Sequence, residues 1–184
     1  MSNDLSNQPD NLTAAERAQI DSSTSGAALL FFGSSAFWLV FSSIFNVIGA
    51  IKLTYPGFLD GLSFLSYGRV VQTASTVMAY GFATPAAIGI AVWLTARLCK
   101  VPLSHHRMLV SAGIIWNLGI LVGACSILAG NSTSFSLLSL PAFATPILFV
   151  SYALIAIWVL FTFNERKSGD LFVSAWFVFA AVLA

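Results

Sequence analysis

Three long stretches of this chain carry no charge at all, and they constrain its fold more than any other feature. No residue between Asp21 and Lys52 is charged, none between Arg69 and Arg97, and none between Arg107 and Glu165. Each stretch exceeds the roughly 20 apolar residues that a bilayer core demands, and the third is long enough for two crossings. Gly130-Asn131-Ser132-Thr133-Ser134 and then Pro141 divide that third stretch with turn chemistry that a helix interior avoids. The pattern predicts four complete transmembrane helices, at about Gly26–Thr54, Gly68–Cys99, Met108–Ala129 and Pro141–Phe163.

Composition closes off the alternatives. With 58% apolar and 8% charged residues the chain cannot cover a soluble globule, whose charged share is about a quarter. A net charge of +1 provides no basic face for a nucleic-acid backbone, so no nucleic-acid partner is expected. Cys99 and Cys125 are too few for a disulfide scaffold, and no spacing of Cys and His suggests a metal cage. The expected fold is therefore all-α, a polytopic helix bundle whose first partner is the lipid bilayer. Residues 1–25 form a polar cytoplasmic N-terminal segment and residues 26–184 the transmembrane region.

After Asp170 the chain turns apolar again from Leu171 to Ala184, fourteen residues that would span about two-thirds of a core roughly 30 Å thick. This stretch is expected to be a truncated fifth helix, leaving the transmembrane region incomplete at the C-terminus. Orientation follows from basic residues in short loops. Arg17, Arg97, Lys100, Arg107, Arg166 and Lys167 share one side, and only Lys52 and Arg69 the other, which places the N-terminus in the cytoplasm. The polar, acidic start (Asp4, Asp10, Glu16, Asp21) does not resemble a cleaved signal peptide, and Thr13-Ala14-Ala15-Glu16 fits a capping box for a short cytosolic helix.

The segment from Lys52 to Arg69 is too aromatic for a solvated loop; Tyr55, Phe58, Phe64 and Tyr67 suit the outer headgroup level. Arg69 reads either as a snorkelling anchor or as a cation for an anionic group such as a cofactor carboxylate. His105-His106 stands among Arg97, Lys100 and Arg107 and reads as a basic loop facing anionic lipid rather than a metal pair. Gly119 and Gly123 have the small-x-x-x-small spacing of close helix packing, Pro85 is expected to kink the second helix, and Cys125 reads as a small packing residue. Asn131-Ser132-Thr133 matches a glycosylation acceptor.

Several stretches in register resemble one known family. They are Phe64-Leu65-Ser66-Tyr67-Gly68-Arg69-Val70, Ala79-Tyr80-Gly81-Phe82, the aromatic helix end Trp93 to Cys99, Leu138-Ser139-Leu140-Pro141, Phe163-Asn164-Glu165-Arg166-Lys167 and Val173-Ser174-Ala175-Trp176-Phe177. Together they resemble subunit I of the cbb-type (C-family) haem-copper cytochrome c oxidases over about residues 30 to 184. Subunits of that family cross the membrane about twelve times, so this chain would supply the first five crossings. The resemblance implies a bacterial inner-membrane protein of the respiratory chain. Electrons would pass from cytochrome c by way of haem to oxygen, coupled to proton movement, in company with the remaining helices and with cytochrome c-type subunits.

The resemblance breaks where the chemistry would sit. The family run Ser-Phe-Gly-Arg-Leu-Arg-Pro-x-His ends in a low-spin haem ligand; here Ser66-Tyr67-Gly68-Arg69-Val70-Val71-Gln72-Thr73-Ala74 puts Ala74 at that position and Val71 at the second basic one. An alanine methyl cannot ligate iron. Arg69, matched to the first basic residue, would meet a haem propionate. The resemblance puts the haem-copper centre with its copper ligands on later helices, so no residue of this chain is expected to be catalytic or to bind metal. The alternative is a non-catalytic structural or assembly subunit that binds no haem. An unrelated transporter is disfavoured by the scarcity of intramembrane polar groups.

Overall fold

The computed structural model describes residues 13–103, 105–133, 139–165, 177, 180 and 181. The expected fifth helix lies almost wholly outside them, as do Arg166 and Lys167. Among the described residues the regular structure is helical, and four stretches are long and apolar enough to cross a membrane: Ala14–Thr54, Tyr67–Cys99, His106–Ala129 and Thr145–Asn164. The first is α1; the second is built from α2 (Tyr67–Thr76), a π-helical segment (Val77–Ala83) and α3 (Thr84–Cys99); the third is α4 (His106–Ala129) and the fourth α5 (Thr145–Asn164).

The helix boundaries depart from expectation at two places. The capping box at Thr13 is real: its hydroxyl accepts from the Glu16 N–H at 3.2 Å and the Glu16 carboxylate accepts from the Thr13 N–H at 2.9 Å. It opens no separate cytosolic helix, however; α1 runs unbroken for 41 residues, roughly 60 Å, twice the core thickness. The polar run before Gly26 does not stop it, because Ser22, Ser23, Thr24 and Ser25 donate back to carbonyls of the preceding turn. At the fourth span, Pro141 sits in a turn in which the Ala144 N–H donates to its carbonyl at 2.9 Å, so α5 starts at Thr145. Pro146 then occupies the first turn, where a missing N–H costs nothing.

Lipid provides no hydrophobic drive for helices to associate, so close approach must hold the bundle together. A Cβ on Gly119 would fall 2.8 Å from Leu148 Cδ2, and one on Gly123 would run into Leu140. This pair packs the third span against the fourth span and its lead-in, the internal role its spacing suggested. Phe31, Val92, Leu109, Ala112 and Trp158 fill one core cluster; Trp38, Val77, Trp116, Ile120 and Leu148 fill another. Cys125, expected to pack, is exposed, whereas Cys99 is buried.

At the Arg97 end, the N-terminal part of α1 is strapped to the second span. Arg97 donates to both oxygens of Asp21, Nε at 2.8 Å and Nη2 at 2.6 Å, with its guanidinium 5.3 Å from the centroid of the Trp93 ring. The Leu103 N–H, in the next loop, donates to Ser23 Oγ at 2.9 Å.

Candidate functional site

Ala74, which the resemblance matched to a haem-ligand position, and Arg69 both lie on α2, the part of the second span next to the aromatic loop. Arg69 is the third residue of that helix. Its Nη1 donates to the Ser63 carbonyl at 3.1 Å and to the Leu128 carbonyl at 3.2 Å. Leu128 belongs to the last turn of α4, where carbonyls lack helical partners and the helix dipole favours a cation. The guanidinium also lies against Gly130, where φ is +101° and a Cβ would sit 2.7 Å from Nη2. Arg69 thus joins the aromatic loop to the end of the third span. One turn on, Gln72 Oε1 accepts from Ser132 Oγ at 2.9 Å, a second tie to the same turn.

Ala74 lies wholly inside the bundle at 0% exposure. Its carbonyl accepts from Ser42 Oγ of α1 at 2.9 Å, and Asn46 Nδ2 donates to the Ser42 carbonyl at 3.0 Å. An axial haem ligand needs a lone pair and a face open to the macrocycle, and Ala74 has neither. The residues present therefore do not fit a haem ligated at this position. His105 and His106 are exposed at the far end of the second span, beyond roughly 37 Å of helix counted from Ala74 to Cys99. The His105 ring rests 5.6 Å from that of Phe161. Among the described residues, no three His, Cys, Asp or Glu side chains come together as a metal site would require.

The middle of the second span holds chemistry that the sequence disclosed only in part. Pro85 was expected to kink the helix; in the structure a π segment precedes it. The Thr84 N–H reaches back to the Ala79 carbonyl, and Pro85 has no N–H, so the Tyr80 carbonyl loses its donors at both i+4 and i+5. Trp116 supplies the replacement, Nε1 donating to Tyr80 O at 2.9 Å. Ser35 of α1 likewise donates to the Phe82 carbonyl at 3.1 Å. Nearby, Trp38 Nε1 donates to Asn117 Oδ1 at 2.7 Å, and Asn117 Nδ2 donates to the Gly113 carbonyl at 2.8 Å. Asn117 is a lone amide within an apolar helix, the one mark in the sequence from which this network could have been suspected.

Two comparisons bear on this arrangement. Residues 26–184 match the family model described as cytochrome C and quinol oxidase polypeptide I. The chain is also 23% identical over 153 residues to a protein of Bradyrhizobium diazoefficiens named cytochrome c oxidase subunit 1 homolog, bacteroid. That alignment takes in 80% of this chain and 27% of the relative, so the chain spans only about a quarter of the relative's length.

Proposed function

The chain belongs to the cytochrome C and quinol oxidase polypeptide I family, and from that premise we propose that it is the N-terminal helical scaffold of a cbb-type oxidase subunit I-like protein of the respiratory chain. Family membership implies haem and copper in the full protein. In this reading the whole protein passes electrons from cytochrome c by way of haem to oxygen and couples this to proton movement. No step of that chemistry is assigned to a residue described above. The scaffold role is carried by one observation: α2 is closed around Ala74 by the chain's own helices, at 0% exposure. Arg69 serves that scaffold through Nη1, and its remaining N–H groups are where the chain would meet an anionic group such as a haem carboxylate. The proposal extends to a multi-pass protein of the bacterial plasma membrane with its N-terminus in the cytoplasm, accompanied by cytochrome c-type subunits.

The same enclosure favours a second reading, a structural or assembly subunit that binds no haem. A reduced-minus-oxidised spectrum of the full-length protein, with oxygen uptake on reduced cytochrome c, separates the two. Uptake without a bis-histidine low-spin band supports the scaffold of a working oxidase; neither signal supports the structural subunit. A strong low-spin b-type band that persists when the other histidines of the full-length protein are replaced in turn would refute both. Ala74→His should create no such band unless α1 and α2 separate, because overpacking of an enclosed site costs about 1–3 kcal/mol.

A further inference from the structure

Lys52, in the last turn of α1, is 6% exposed, the one charged side chain buried among the described residues. It forms neither an ion pair nor a hydrogen bond with any of them. The C-terminal dipole of α1 favours a cation, but an ammonium stripped of most of its water still requires an acceptor. The stem is packed while Nζ opens to the surface; the enclosed side-chain atoms without a partner, among the described residues, are the Thr73 and Thr76 hydroxyls alone. Asp60, the one acid of the aromatic loop, is exposed and likewise in no ion pair among those residues.

The neighbour of Lys52 is the start of α2. A Cβ on Gly49 would lie 3.2 Å from Val71 Cγ2 and 3.7 Å from Val70 Cγ1. Lys52 follows three residues later on the same buried face of α1, and the two helices run in opposite directions, so it comes against the first turn of α2. That turn is uncapped. Ser66 stands at the N-cap, yet its side chain makes no capping bond, and no acidic residue follows in the first turn. The amides of Tyr67, Gly68 and Arg69 therefore present the unpaired donors of an open helix N-terminus. A Cβ on Gly68 would meet nothing within 4 Å, which leaves room beside those amides. The Arg69 side chain is turned away, toward the Leu128 carbonyl of α4.

We propose that Lys52 and the first-turn amides of α2 bind the phosphate of a phospholipid headgroup. A single anion answers both deficits: it accepts from the ammonium and from amides whose helix dipole favours negative charge. Lipid is the source because the site lies between two span ends, at the level marked by exposed Tyr55, Phe64 and Tyr67, where headgroup phosphates are concentrated. Such a site requires only that the chain spans a bilayer, whatever reaction the full protein carries out.

The test titrates short-chain phosphatidylglycerol into delipidated full-length protein in a neutral detergent and counts bound lipid by native mass spectrometry. Lys52→Met keeps the packed stem and should weaken the tightest-bound lipid about tenfold. Ser66→Asp provides α2 with a carboxylate of its own at the N-cap, so it should stabilise the helix and displace the lipid by a similar factor. Unchanged lipid affinity in either variant would overturn the proposal, and Ser66→Asp decides it alone if Lys52→Met fails to fold. Two further ligands identify the source. Diacylglycerol with the same chains should not take the site, and inorganic phosphate should not displace the lipid. Diacylglycerol binding as tightly as the phospholipid would overturn the proposal, since the phosphate would then contribute nothing; displacement by inorganic phosphate would overturn lipid as the source of the anion.

Discussion

Trp116→Phe tests whether the third span repairs the backbone of the second. The substitution keeps an aromatic ring in a site 5% exposed and removes the indole N–H that donates to the Tyr80 carbonyl. Leaving a buried carbonyl unpaired costs about 1–3 kcal/mol, whereas interhelical hydrogen bonds measured within bilayers average about 0.6 and reach about 1.7. Tyr80 O belongs at the upper end, because Thr84 is engaged elsewhere and Pro85 has no N–H to offer. The expected loss is about 2 kcal/mol, part of it due to the smaller ring. A double-mutant cycle with Pro85→Ala isolates the hydrogen bond: the new alanine N–H offers the Tyr80 region a backbone donor, so Trp116→Phe should cost about 1 kcal/mol less in that background. Unfolding equilibria of the four proteins in mixed micelles provide the cycle. Additivity within about 0.5 kcal/mol would refute the claim that the indole stands in for a missing backbone donor.

Gly81→Ala should destabilise by about 1–3 kcal/mol in the same assay, and by more than Gly113→Ala, because its methyl would fall 2.9 Å from Cβ and Cγ of Trp38, atoms that cannot swing aside, whereas Gly113 faces the mobile end of Leu30. Gly130→Ala forces a left-handed residue and displaces Arg69; a loss of about 1–2 kcal/mol is expected, and it should shrink in an Arg69→Gln background. For topology, His106→Cys should be shielded from an impermeant thiol reagent in intact cells and Ser132→Cys labelled, in a background from which Cys125 has been removed; the reverse pattern would invert the proposed orientation.

The four spans were legible because the bilayer imposes a length and forbids charge, and both requirements show directly in a single sequence. Helix starts were less legible, since the serines and threonine at residues 22–25 look like a loop but bond to their own helix. The interior network was nearly silent. Trp38 and Asn117 are 79 residues apart, Trp116 and Tyr80 are 36 apart, and no periodicity marks such pairs. Arg69 stood out as a cation at the start of the second span, yet its Nη1 goes to two carbonyls brought near by loop closure, one of them 59 residues distant. What a polar group pairs with depends on which helix end the chain returns to, and a linear pattern does not record that.

The π segment also changes how positions along the second span can be compared. More residues per turn means that each of Val77–Ala83 advances the helix by a smaller angle than an α residue does. A helical wheel drawn in one phase from Tyr67 to Cys99 therefore slips, and residues assigned to the same stripe above and below the segment point in different directions. Ala74 is counted from Arg69 without crossing the segment, so its angular place is secure. Any residue beyond Ala83 transplanted from a relative with an unbroken α-helix would arrive rotated about the axis, and designs that span this stretch need their phase reset at Thr84.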